Sequence, residues 1–100
     1  MMSDFNIDLT ESAKLQLEEL VKDPSKKSIA KAVLKSLKYM HSNLRHPSLH
    51  THKYDDMTGP SGEDIFESYA QNNTPGAYRI FWFYGPGKGV ITVVAIAPRP

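Results

Sequence analysis

Two dense apolar runs near the C-terminal end, Ala77 to Tyr84 (AYRIFWFY) and Val90 to Ala97 (VITVVAIA), are separated only by Gly85-Pro86-Gly87-Lys88-Gly89. β-branched and aromatic residues dominate both, and the glycine-rich spacer suits a turn, so the pair predicts an antiparallel hairpin. Both runs are apolar at odd and even positions alike, which marks them as central strands covered on two sides. A chain of 100 residues supplies one domain's worth of core. The rest of that domain, residues 1–100, must therefore be built around this hairpin.

The N-terminal half supplies a helical layer. Phe5, Ile7 and Leu9 alternate with polar residues as in a half-buried strand. Thr10 suits a helix N-cap, Glu11 favours the first turn, and Ala13, Leu17, Leu20 and Val21 follow at helical spacing, which predicts a helix over 11–22. Asp23 then reads as an N-cap with Pro24 at the first helical position. Ile29, Val33, Leu37, Met40 and Leu44 give the second helix an apolar side, with Lys27, Lys31, Lys35 and Lys38 on another. With almost no linker, the two helices form an antiparallel hairpin over one sheet face. Leu49 to Tyr54 suits a short strand and Asp64 to Gln71 another, with turns at Thr58 to Gly62 and Asn72 to Gly76. The expected class is α+β: a strand and a two-helix hairpin on a twisted antiparallel sheet.

Composition excludes several function classes. There is no cysteine, so neither a disulfide framework nor a thiolate metal site is available, and a reducing cytoplasm suits the chain. No run approaches a membrane span. The net charge of +1 conceals a separation: Lys26, Lys27, Lys31, Lys35, Lys38, Arg45 and Lys53 lie between Pro24 and Lys53 with no acid among them. Such a stretch suits a polyanion, through release of counterions, or is a solvated lysine face.

All four histidines share that stretch, and His46-Pro47-Ser48-Leu49-His50-Thr51-His52 is the densest cluster. His50 and His52, two apart, reach one side of an extended segment, a spacing zinc can use, but no further ligand stands nearby and no metal is expected. Acid–base use is the stronger reading, because imidazole titrates near neutrality and can take a proton from a ribose hydroxyl. Tyr54 beside Lys53 suits base stacking, with Arg45, Lys35 and Lys38 as phosphate contacts. Arg79 interrupts an apolar strand and must find an anion: either a bound phosphate, or an internal carboxylate such as Glu67. A connection of five residues between the last strands puts Arg79 and Arg99 on one face; a connection of four separates them.

The order strand, helix hairpin, then a sheet closing in AYRIFWFYG and VITVVAIAPRP resembles the RelE/ParE superfamily of bacterial type II toxins. Tyr78-Arg79-Ile80, the last strand ending at Arg99, and His46 to Lys53 carry the resemblance. It implies a metal-independent, cofactor-free endoribonuclease acting on mRNA at the ribosome, in which a ribose 2′-hydroxyl attacks the adjacent phosphate. Arg79 then matches the family's strand arginine, which stabilises phosphate charge, Arg99 the catalytic arginine at the end of the last strand, and His50 or His52 the base. It also implies an acidic antitoxin as partner. The ParE branch offers the alternative of a noncatalytic protein that binds a target such as gyrase. Glu67, where some active members place lysines, departs from the pattern.

Overall fold

The computed structural model describes residues 4–71 and 76–98. Strand β1 (Asn6–Leu9) leads into helix α1 (Glu11–Lys22), a 3-10 turn (Pro24–Lys26) and helix α2 (Lys27–Ser42). A second 3-10 turn (Pro47–Leu49) precedes β2 (His52–Thr58), β3 (Asp64–Tyr69), β4 (Tyr78–Tyr84) and β5 (Val90–Pro98).

Local chemistry sets the bounds of α1 as expected and shifts those of α2. The Thr10 side chain accepts from the Ala13 N–H at 3.1 Å and donates to the Val94 carbonyl at 3.3 Å, which caps α1 and ties its start to β5. Asp23 caps the Pro24–Lys26 turn by accepting from the Ser25 N–H at 2.9 Å, so α2 proper begins three residues later than the Asp-Pro signal predicts. Leu44 lies past the end of α2. Its packing against the core continues through the loop.

The five strands form one sheet in the order β1-β5-β4-β3-β2. It is mixed, a correction to the antiparallel sheet expected: β1 pairs with β5 in parallel, while the other three pairings are antiparallel. The helix between β1 and the later strands makes this possible, because a parallel neighbour needs a crossover that a tight turn cannot supply. The last two strands do form a hairpin, with β4 and β5 both internal. Gly85, Gly87 and Gly89 take positive φ values of 106°, 84° and 75° in its connection, a conformation that only glycine adopts at no steric cost. Continued from Tyr84↔Ile91, the register would set Arg79 against Ile96; a shift between Phe81 and Trp82 moves its partner to Ala97.

Each sheet face carries its own core. Ile80, Trp82, Ile91, Val93 and Ile96 meet Ala13, Leu20, Val33 and Met40 beneath the helices. Full burial of the larger aliphatic side chains among these contributes about 1.5–3 kcal/mol each. On the opposite face Ile65, Phe81 and Phe83 form a second cluster, with Tyr54, Met57, Val94 and Ala95 packed against it. Among the described residues no helix is long and apolar enough to cross a membrane.

Candidate functional site

Alternation along β3 and β4 puts Glu67, Tyr69, Arg79 and Phe81 on the face away from the helices, since Tyr69 pairs with Arg79 and Glu67 with Phe81. His52 stands opposite Glu67 on β2. Arg79 is 3 % exposed and Glu67 fully buried. The guanidinium Nε lies 3.8 Å from Glu67 Oε2, Nη1 donates to the Ala77 carbonyl at 3.0 Å, and Cζ sits 3.8 Å from the Tyr69 ring centroid. Of the two fates open to this arginine, the fold adopts the internal carboxylate. The direct phosphate role expected for Arg79 has no access in this arrangement, because register places an acid two residues along the neighbouring strand and tyrosine closes over the guanidinium.

The same carboxylate organises His52. Its Nε2 lies 2.6 Å from Glu67 Oε1, and its Nδ1 lies 2.9 Å from the His50 carbonyl oxygen. The set is complete with both nitrogens protonated against an ionised Glu67, or with one proton held along the Nε2···Oε1 contact. In either arrangement no ring lone pair is turned to solvent.

His50 differs. It closes the Pro47–Leu49 turn in the left-handed conformation, φ 46°, its backbone N–H donating to the Pro47 carbonyl. That conformation turns the chain toward β2 and leaves the imidazole exposed, 5.3 Å from the Tyr69 ring and with no hydrogen bond to its nitrogens among the described residues. The other imidazoles are engaged. His41 contacts the Phe5 carbonyl and Asp4, and His46 Nδ1 lies 2.7 Å from the Ser48 hydroxyl, its ring stacked on Tyr39 at 3.8 Å. His50 and His52 thus serve different partners, and among the described residues no group of three or more His, Cys, Asp or Glu is placed to hold a metal.

The residues expected to meet RNA are dispersed around this cluster. Lys35 lines a groove of about 710 Å³ with Tyr39, His46, His50 and Tyr69. Arg45 lines a neighbouring groove, and Lys38, exposed on α2, lines neither. Lys53 pairs across from Phe66, on the face opposite His52, and its ammonium lies 3.7 Å from Asp55 and 3.5 Å from Asp64. Tyr54 packs at 5.0 Å against Phe81. Arg99 lies outside the described residues, as does the Asn72–Pro75 part of the predicted turn. Sequence reasoning missed Tyr69, which joins His50 to Arg79; its place opposite an arginine on the adjacent strand appears only once the register is known.

No family model matches the sequence, and no curated protein matches it. Solved structures do match its fold. The YoeB dimer from Staphylococcus aureus aligns with a TM-score of 0.64 at 12% identity, covering 98% of this chain and 100% of that one. A chain of the archaeal RelE-RelB complex from Pyrococcus horikoshii OT3 gives 0.63 at 13% identity, covering 96% of each chain. The YoeB/ParE toxin from Agrobacterium tumefaciens gives 0.63 at 8% identity, over 96% and 100%. At such identities the likeness is one of architecture, and it extends from β1 through the helix hairpin to β5. This chain therefore has the fold of the RelE/ParE-like toxin superfamily.

Proposed function

We propose that the chain is a toxin-type endoribonuclease that cuts mRNA at the ribosome, with His50 as its general base. The observation that carries this reading is the exposed His50 ring, without a hydrogen bond among the described residues, packed on the Tyr69–Arg79–Glu67 assembly. His50 takes the proton from a ribose 2′-hydroxyl. The 2′-oxygen then bonds to the adjacent phosphorus as the bond to the 5′-oxygen breaks, and that oxygen takes a proton from water. A 2′,3′-cyclic phosphate and a 5′-hydroxyl result. The nucleophile belongs to the substrate, so this step needs no cofactor.

Arg79 enters as a positioning residue. It holds the Tyr69 ring on which His50 packs and balances the carboxylate that orients His52. Charge on the phosphate is met by Lys35 and Arg45 from the two grooves, with Lys38 as an outlying contact on α2 and Arg99 in the role that the family resemblance gives it. Lys53 and Tyr54 serve as outlying RNA contacts. A fold relative solved as a RelE-RelB complex supports an antitoxin partner, which we take to be acidic, and we take the site of action to be the cytoplasm.

Induced expression with mapping of mRNA 5′ ends tests the reading. Wild type should cleave, and His50→Ala should lose about 10²- to 10⁴-fold of the cleavage rate. Ribosomal mRNA left intact by the wild type, or cut equally fast by His50→Ala, would overturn it. The alternative, a noncatalytic protein that binds a gyrase-type target, draws on the internal pairing of Arg79. It requires growth arrest with intact mRNA.

A further inference from the structure

Past His50, toward β1, a groove of about 730 Å³ opens between the end of α2 and the tip of β4. Tyr84 lies in its lining and is 51% exposed. The ring is nonetheless fixed: Trp82 meets it at 4.9 Å and Phe66 at 5.5 Å, both nearly edge-on, and Phe5 stands at 6.0 Å. Three aromatic neighbours thus hold this ring without covering it. Arg45 shares the lining; its backbone N–H is anchored by the Asn43 side chain, and the residue is exposed, with no ion pair among the described residues. Among the described residues no acid lines the groove, and Asp4 next to Phe5 is taken by His41 Nε2 at 3.4 Å.

A fixed, half-exposed ring sharing a groove with an arginine that has no ion pair among the described residues suits a ligand that is flat and aromatic at one end and anionic at the other. The volume falls within the range of small-molecule sites, about 300–1,000 Å³. We infer that this groove is a nucleotide subsite, in which a base stacks on Tyr84 and its phosphate meets Arg45. His46 and His50 line this groove and also the one holding Lys35 and Tyr69. A single strand crossing His50 therefore has a base platform on one side of the proton acceptor and a lysine on the other. The inference rests on the nuclease reading for the identity of the polymer, while the affinity of the groove for a mononucleotide does not.

Titration of the full chain with 5′-AMP and with adenosine, followed by NMR, tests it. Both should perturb Tyr84 and Phe5. Tyr84→Ala should weaken both ligands by about tenfold or more, as loss of a stacking ring does, and Tyr84→Phe should bind like wild type. Arg45→Ala should weaken 5′-AMP and leave adenosine unchanged. Absence of 5′-AMP binding, or unaltered binding by Tyr84→Ala, would overturn the subsite, and cleavage of mRNA by the same protein would leave the nuclease reading standing. Conversely, 5′-AMP bound through Tyr84 by a protein that leaves mRNA intact upholds the subsite and defeats only the nuclease reading.

Discussion

Arg79 Nε lies 3.8 Å from Glu67 Oε2, and both side chains are shut away from solvent. Removing one partner strands the other charge in a low-dielectric interior, so Glu67→Ala should lower the unfolding free energy by about 3–5 kcal/mol. Replacing both residues with apolar ones of similar volume should recover most of that. Urea denaturation of the two singles and the double measures this. A single-variant loss under about 1 kcal/mol would show that the pair is not coupled as described.

His50 and His52 should separate stability from activity. His52 satisfies a buried carboxylate, and His52→Ala should destabilise by about 1–3 kcal/mol. His50 occupies a left-handed position that glycine adopts without strain, so His50→Gly should leave the melting temperature unchanged or raised while abolishing cleavage. Parallel thermal unfolding and mRNA-end mapping decide the matter; equal loss of stability in both variants would contradict it.

Ser68 is a junction in the helix-side core. The Trp82 indole N–H donates to its hydroxyl at 2.9 Å, and the Thr51 hydroxyl lies 2.8 Å away. Ser68→Ala leaves a buried N–H without its acceptor and should cost about 1–3 kcal/mol, whereas Thr51→Ala, at an exposed position, should cost less. Denaturation monitored by Trp82 fluorescence reads both.

The Asp23 carboxyl is held below its ordinary value of 3.8, first by the Ser25 hydroxyl and then by the Ser25 N–H. Its folded value lies below its unfolded one, so its contribution to the helix hairpin is fully present above about pH 4 and disappears as pH falls through the folded value. Asp23→Asn should flatten that part of the acid stability profile. An NMR titration placing Asp23 at or above 3.8 would refute the cap's effect.

Short-range chemistry made much of this protein readable in its sequence. Thr10 with Glu11, the Asp23-Pro24 pair, and the glycine-flanked run from Tyr78 to Val90 each act within a few residues, and α1 and the β4–β5 hairpin formed where they point. Contacts distant in sequence were decided by the tertiary structure. Pairing β1 beside β5 needed the α1–α2 crossover, which periodicity does not encode. The fate of Arg79 turned on the registers of β3 and β4, since these set Glu67 and Tyr69 rather than solvent against its guanidinium. Likewise His50 and His52 look equivalent as letters two apart. One left-handed residue and one buried carboxylate, contributed by a strand fifteen positions away, left the first imidazole open and tethered the second.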